Sequence, residues 1–339
     1  MPKLFIQASN IHTGGGLTLL NQLIQDINFK AELFVDERSK NHIHVNKNIN
    51  IHFIKKNIFS RWFVEVKMLC LVSKGDTILF FNNLPPFIKT RAIHILYLQN
   101  ILLIHPYNLK KFSLLARWRI RFERLYLKIF ISNVDSIYVQ SSEMLSLCKQ
   151  KFSTPSFLMP FFLSNQIELS KVNSKKLFDF VYVSSSDPHK NHTRILDAFV
   201  LLAKEGFFPS ICFTIDSATD KKLTDEIDIL KTKYSLRIEY KKFNNLDSKE
   251  NLYSSSKALL FASELESMGL PLIEANSYGL DILVSEKGFS RDFSSPIETF
   301  DPSSSLSIAR AIKRYLFNID DRLELKTPYQ FLQQIFLEK

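Results

Sequence analysis

The sequence predicts an α/β protein made of two doubly wound domains that face each other. Apolar runs of four to six residues, rich in branched and aromatic side chains, alternate with helix-period segments. Such runs are typical of parallel strands buried on both faces. The length of 339 residues fits two domains of about 100–200 residues each. We expect the first domain at 1–162, a polar linker at 163–176 and the second domain at 177–339, leaving open whether the last helix packs back on the first domain.

The first series opens with a strand at 3–8, a glycine loop and a helix at 17–27. Backbone N–H groups of Gly14, Gly15 and Gly16 at a helix start would suit a phosphate, although a tight turn without ligand is equally consistent. The spacing lacks both the dinucleotide and the Walker glycine patterns. Further strands are predicted at 31–35, 49–54, 77–81, 93–98 and 135–139, and helices at 61–72, 117–129 and 142–149.

The second series repeats the alternation, with strands predicted at 178–183, 210–215, 237–240, 258–261 and 281–285. Helices are predicted at 194–205, 219–234, 248–256 and 269–278. The loop after its first strand places Lys190 at a helix start, where a cation opposes the helix dipole. A bound anion would explain that position, and a solvated loop lysine is the alternative. Ligands of such sheets bind at the carboxyl ends of the strands.

Two carboxylates, Glu266 and Glu274, flank a strand-to-helix turn that Gly269 and Pro271 fix. Their neighbours are almost all apolar or small, and buried acids usually have partners. Carboxylates at a strand end can accept hydrogen bonds from sugar hydroxyls. Solvated surface acids are the alternative interpretation.

Composition excludes several classes of protein. Hydrophobic residues make up 45% and charged residues 23% of the chain, which is typical of globular proteins and not of disordered ones. Three scattered cysteines predict neither a disulfide framework nor a zinc site. We expect no signal peptide and no membrane span. The net charge of +10 favours anionic partners such as nucleic acid, acidic lipid or phosphorylated small molecules.

The segment from Ala262 to Ala275, which contains both acids, resembles the signature of retaining GT-B glycosyltransferases of the family 4 type. The loop around Lys190 and the early glycine loop fall where that family has its own. The resemblance covers about residues 4–290 and extends to bacterial surface-polysaccharide and O-antigen mannosyltransferases. It implies a GT-B fold, with two Rossmann-like domains facing across a cleft.

The resemblance also implies roles for individual residues. Glu274 would bind the ribose of a donor nucleotide, and Glu266 would contact hydroxyls of the donor sugar. Lys190 would neutralise the diphosphate, so Glu266 and Lys190 are the expected catalytic residues. The backbone of Gly269 and Leu270 would contact the sugar or the diphosphate. Gly15 and Gly16 would approach the donor from the opposite domain.

The sequence departs from the family pattern at two places. Ser184 and Ser185 stand where the family has Gly-Arg, and Gln99 stands near the expected position of a first-domain histidine. There is no D-x-D pair and no clustered set of histidines, so we expect no metal and no cofactor besides the nucleotide-sugar substrate. Neutralisation of the diphosphate then rests on Lys190 and helix dipoles.

Residues 117–129 form a basic amphipathic helix pattern. Arg117, Arg121, Arg124 and Lys128 share one face, and Trp118, Phe122, Leu125 and Ile129 share another. Docking on an anionic membrane is one interpretation. The other is an ordinary domain helix with a solvated basic face.

The resemblance therefore implies a retaining hexosyltransferase that uses a nucleotide diphosphate sugar, mannose-like or other. The expected acceptor is a lipid-linked glycan or oligosaccharide of bacterial surface polysaccharide synthesis. The expected location is cytoplasmic, peripheral on the inner face of the plasma membrane, without a nucleic-acid partner. Two alternatives stay open: a non-catalytic basic protein that binds nucleic acid or acidic lipid, and a GT-B nucleotide-sugar epimerase.

Overall fold

A computed structural model describes residues 2–43, 47–55, 58–162, 175–242 and 246–319, with 327, 328 and 330. The predicted linker therefore lies outside the described residues, apart from 175 and 176. Whether a last helix packs back on the first domain stays open, because beyond residue 319 the structure describes 327, 328 and 330 alone.

The first domain is built on a seven-stranded parallel sheet. Its elements are β1 (Leu4–Ala8), α1 (Gly14–Gln25), β2 (Ala31–Asp36), β3 (Ile49–Ile54), α2 (Ile58–Leu71), β4 (Thr77–Phe80), β5 (Ile93–Leu98), α3 (Leu114–Phe130), β6 (Ser136–Val139), α4 (Ser142–Lys151) and β7 (Ser156–Leu158). The strands lie in the order β3-β2-β1-β4-β5-β6-β7. Leu4 of the central strand is in register with Ala31 on one side and Thr77 on the other.

The second domain repeats the plan with a six-stranded parallel sheet. Its elements are β8 (Phe178–Tyr182), α5 (His192–Lys204), β9 (Ser210–Phe213), α6 (Lys221–Tyr234), β10 (Arg237–Tyr240), α7 (Leu246–Ser254), β11 (Ser256–Phe261), α8 (Leu270–Ser277), β12 (Asp281–Ser285), β13 (Glu298–Phe300) and α9 (Ser305–Phe317). The order is β10-β9-β8-β11-β12-β13. Strand order reverses between β8 and β11, the switch point where doubly wound sheets bind ligands.

Apolar side chains cover both faces of each sheet, as the continuous apolar runs require. In the first domain, α1 covers one face through Leu20 and Ile24. The other face is covered by α2, α3 and α4, whose buried side chains include Val64, Ile120 and Met144. The second domain has one continuous core that reaches from β8 to α9.

The predicted fold class is confirmed, and the differences are local. The strands β3, β5, β10 and β12 have the predicted bounds. The strands β7 and β13 were not predicted; each is three residues long and lies at a sheet edge, so neither carries a long apolar run. The helix α9 was also missed, although Ser304 caps its start by accepting a hydrogen bond from the Ser307 N–H, 3.2 Å away.

Candidate active site

The carboxyl ends of the two sheets face each other, and side chains meet across the cleft between them. Met268, from the loop after β11, packs with the core of the first domain and lies 3.7 Å by its Sδ from the Gln140 Nε2. Leu265 is buried against the opposite face of the first domain. The loop that carries Glu266 is therefore held between the two domains.

An ion pair joins the two predicted catalytic residues. Lys190 Nζ lies 2.5 Å from Glu266 Oε1, and the two side chains are only 15% and 11% exposed. Lys190 follows β8 and Glu266 follows β11, two neighbouring strands, so their loops emerge side by side. The pairing balances both charges where little water reaches them.

Hydrogen bonds fix the backbone around Lys190. The helix α5 begins at His192, two residues before the predicted start, directly after the left-handed Asn191 with φ 64°. Its Nδ2 donates to the carbonyl oxygens of Ala262, at 3.2 Å, and Pro302, at 2.7 Å. The Tyr182 hydroxyl donates to the Lys190 carbonyl. These hydrogen bonds leave no signal in the sequence, because the partners are up to 111 residues apart.

Glu274 has a different partner from Glu266. It lies on α8, and its Oε2 accepts a hydrogen bond of 2.8 Å from the buried Tyr253 hydroxyl. Burial, followed by the nearby carboxylate of Glu274, raises the pKa of Tyr253 well above its usual value, so the hydroxyl stays a donor. Gly269 precedes α8 with φ 68°, a conformation that favours glycine. Tyr253 was missed because nothing in its surrounding sequence marks it.

The three glycines predicted as a loop form the first turn of α1 instead, and this turn is a point of close approach between the domains. A Cβ on Gly15 would lie 2.8 Å from the Leu270 Cδ1 of the second domain. A Cβ on Gly16 would lie 3.3 Å from the Ile11 Cδ1 and 3.7 Å from the Gln99 Oε1. Gly15 thus meets Leu270 across the cleft, whereas Gly16 packs within the first domain, and a side chain at 15 would have to displace Leu270.

Neutral groups stand where the resemblance led us to expect further cations. The Ser184 Oγ lies 3.2 Å from the His192 Nε2, and the Ser185 hydroxyl donates to Asp187. Burial, and then the Lys190 charge, lower the pKa of His192 to about 4, so this ring is neutral at pH 7. Among the described residues no three histidine, cysteine or acidic side chains are grouped to hold a metal ion.

Residues 105–112 of the first domain, which we call the strap, cross to the second domain beside the ion pair of Lys190 and Glu266. The Tyr107 hydroxyl donates to Glu264, the Lys111 Nζ lies 3.5 Å from the same carboxylate, and Phe112 stacks on His189 at 5.9 Å. Next to the strap is a cavity of about 480 Å³, bordered by Tyr107 and Glu264 among others.

The basic residues predicted at 117–128 all lie on α3, but they do not act alike. Arg124 donates from Nε to the Leu102 carbonyl, at 2.8 Å, and from Nη2 to the His105 carbonyl, at 2.7 Å. Its guanidinium therefore ties α3 to Leu102 and to the first residue of the strap, whereas Arg121 and Lys128 are exposed. Arg117 is half-buried as well, so Arg121 and Lys128 are the exposed members of the predicted basic face, and its role at a membrane stays a prediction.

Comparisons with known proteins agree with this architecture. Residues 165–327 match the family model described as Glycosyl transferases group 1. A sucrose-phosphate synthase from Thermosynechococcus elongatus superposes with a TM-score of 0.68 at 14% identity, over 93% of this chain and 90% of that one. The chain has the GT-B fold. The prediction of two Rossmann-like domains facing across a cleft is thereby confirmed.

Two further solved structures have the same arrangement. An α,α-trehalose-phosphate synthase (UDP-forming) from Burkholderia vietnamiensis gives a TM-score of 0.68 at 10% identity, over 94% of this chain and 92% of that one. The Anabaena protein HepE, in complex with UDP and glucose, gives 0.65 at 14% identity, over 94% and 90%. No curated protein matches the sequence.

Proposed function

We propose that this GT-B protein is a retaining glycosyltransferase that moves a hexose from a nucleotide diphosphate sugar to a glycan acceptor. The observation that carries the proposal is the enclosed ion pair of Lys190 and Glu266 at the switch point of the second sheet. That pair lies inside the segment that matches the glycosyl transferases group 1 model. The two groups sit where a diphosphate and a sugar would meet.

The ion pair is exchanged for contacts with the donor. Lys190 turns to the diphosphate, and Glu266 accepts hydrogen bonds from hydroxyls of the sugar. As the glycosidic bond breaks, the sugar becomes oxocarbenium-like and negative charge builds on the diphosphate. A fixed cation in a site with little water stabilises that charge more than it stabilises the ground state.

Glu274 binds the ribose hydroxyls of the nucleotide in this proposal. The Tyr253 hydroxyl occupies one of its oxygens, Oε2, and so orients the carboxylate. Gly269 and Leu270 bring backbone N–H groups to the sugar or the diphosphate, and Gly15 and Gly16 approach from the first domain.

UDP-glucose is the first donor to test. Solved structures of similar proteins are complexes with UDP and glucose, with UDP-glucose and with UDP-2-fluoro glucose. GDP-mannose is the second, because the sequence resembles O-antigen mannosyltransferases. The proposed acceptor is a polyprenyl-diphosphate-linked glycan of bacterial surface polysaccharide synthesis, reached from the cytoplasmic face of the membrane. The net charge of +10 and the basic helix α3 support an anionic membrane partner over a soluble one.

An epimerase is the second candidate, since Glu264 and His189 lie beside the ion pair. The Glu264 N–H donates to the His189 carbonyl at 2.8 Å, so an acid and a histidine adjoin Lys190 and Glu266. An epimerase inverts one stereocentre of the sugar and needs no acceptor. Incubating the nucleotide sugar alone and following its anomeric signals by NMR distinguishes the two activities.

A thermal-shift series tests the proposal directly, because ligands that bind only the folded state raise its melting temperature. UDP-glucose or GDP-mannose is expected to raise the Tm of the wild type and not that of Glu274→Gln. Lys257→Ala is the matched control: its Nζ pairs with Asp179 at 2.8 Å, at the amino ends of the same strands. An equal shift in Glu274→Gln and the control removes Glu274 from the site.

A further inference from the structure

The outer face of α3 carries a row of large apolar side chains. Leu115, Trp118, Phe122, Leu125 and Ile129 are between 55% and 85% exposed, and we call these five residues the apolar stripe. Their spacing of three and four residues places them on one face of the helix. At 1.5 Å per residue the stripe is about 21 Å long.

The apolar stripe points away from the sheet. The residues that α3 buries are Ile120 and Leu127, each 1% exposed. Each lies two positions from its neighbours in the stripe, which is about 200° of helical turn. An ordinary domain helix would bury its apolar face and leave the basic face in water. The structure excludes that interpretation, because the apolar face itself is in water.

Cations border the stripe. Arg121 and Lys128 are exposed along one edge, and the Arg121 guanidinium lies 5.7 Å from the centre of a Trp118 ring. Arg119 is 70% exposed on the other edge and lies 3.8 Å from Glu123, the sole acid of the helix. The border is therefore positive and suits acidic headgroups.

A second helix adds to the same surface. Trp62, Phe63 and Val66 of α2 are 47% to 69% exposed. The buried residues of α2 and α3 belong to one core cluster, so both helices cover the same face of the first sheet. Exposed apolar residues of both helices therefore lie on the same side of the first domain, and we call them together the exposed patch.

We propose that the apolar stripe inserts into the interfacial region of an anionic bilayer, with α3 lying parallel to the membrane plane. Apolar and aromatic side chains bordered by cations are characteristic of such interfacial helices. None of the described helices is long and apolar enough to cross a bilayer. This inference rests on the proposed function, because docking would bring the cleft of the transferase to a lipid-linked acceptor.

The docked helix would lie close to the cleft. Arg124 bonds α3 to the His105 carbonyl. Tyr107, two residues further on, contacts Glu264 of the second domain. Two residues span at most about 7 Å of backbone, so a membrane-borne acceptor reaches the cleft beside the helix that docks.

Tryptophan fluorescence can report insertion directly. The two tryptophans of the chain, Trp62 and Trp118, both lie in the exposed patch. In Trp62→Phe, Trp118 is the sole reporter. Vesicles of phosphatidylglycerol and phosphatidylcholine are expected to shift its emission to the blue, and bromine-labelled lipid is expected to quench it. Unshifted and unquenched emission at saturating vesicles overturns the proposal.

Paired substitutions separate insertion from charge attraction. Phe122→Ser with Leu125→Ser is expected to weaken vesicle binding at least about tenfold, because both apolar contacts with the acyl boundary are lost. The matched control is Ile229→Ser on α6, whose side chain is 65% exposed in the second domain. Equal vesicle binding by the double variant and the control overturns insertion. Insertion is also overturned if the wild type binds no vesicles and instead forms a dimer that the double variant cannot form.

The same proteins distinguish this inference from the proposed activity. Absence of vesicle insertion by the wild type, with an intact Tm shift by the nucleotide sugar, refutes docking and leaves the transferase proposal standing. Vesicle insertion with no response to any nucleotide sugar supports docking and refutes the donor site.

Discussion

Replacing Lys190 by methionine tests the central ion pair, because methionine keeps most of the side-chain volume and removes the charge. Glu266, whose side chain is only 11% exposed, would lose the cation 2.5 Å away. Removing one partner of a buried pair costs about 3–5 kcal/mol, and the residual exposure places this pair near 3 kcal/mol. We expect chemical denaturation of Lys190→Met to show that loss in the free energy of unfolding.

Adding Glu266→Gln to Lys190→Met separates stability from catalysis. A neutral amide beside methionine leaves no unpaired charge, so most of the lost stability should return. Turnover should not return, since the cation facing the diphosphate is still missing. Loss of one such stabilising group lowers kcat by about 100- to 1,000-fold.

Two results would refute this reasoning. Wild-type stability in Lys190→Met would show that the pair contributes nothing to the folded state. Near-normal transfer by the same variant would show that another group neutralises the leaving diphosphate. Lys257→Ala, which breaks the Asp179 pair at the opposite edge of the sheet, controls for loss of an ion pair as such.

Further predictions concern the surroundings of the pair and the demand for metal. Tyr253→Phe should weaken donor binding in calorimetry by about tenfold, because Glu274 loses the donor that orients it; unchanged affinity contradicts this. Gly15→Ala should lower transfer by keeping the cleft open, and Leu270→Ala should restore it; absence of rescue means that the 2.8 Å approach does not limit closure. The pKa of His192 is lowered to about 4 from 6.5, so the unfolded chain binds more protons between those values. Stability should fall by about 1.4 kcal/mol per pH unit as the pH drops through that window, and a Tm profile of His192→Gln should lack this contribution. Sugar transfer should persist in excess EDTA, and recovery only on adding Mg²⁺ or Mn²⁺ would show a metal requirement.

Much of the fold was predictable because parallel strands leave a strong local pattern. The runs at 49–54 and 281–285 are rich in branched apolar residues, and their bounds are those of β3 and β12. The edge strand β13, from Glu298 to Phe300, has too few residues to show a period. Its place depends on pairing with β12, which is a long-range contact.

The pairing of Lys190 with Glu266 follows from topology, since the two residues lie in the loops that follow two neighbouring strands. The sequence could place each residue at a strand end but could not show that they touch. The orientation of α3 was not predictable either. Its pattern shows one apolar face, and only the packing of Ile120 and Leu127 tells which side faces the sheet.

The amide of Asn191 has a mechanical consequence for the second domain. With one nitrogen it bridges the carbonyls of Ala262, after β11, and Pro302, after β13. The loops bearing Lys190 and Glu266 are thus braced as a single block together with the edge of the sheet. When the cleft opens, the two loops and the sheet edge move as one rigid unit, so the backbone positions of Lys190 and Glu266 keep their spacing. Exchange of partners during the reaction then needs only side-chain rotation, while the backbone that carries both residues stays still.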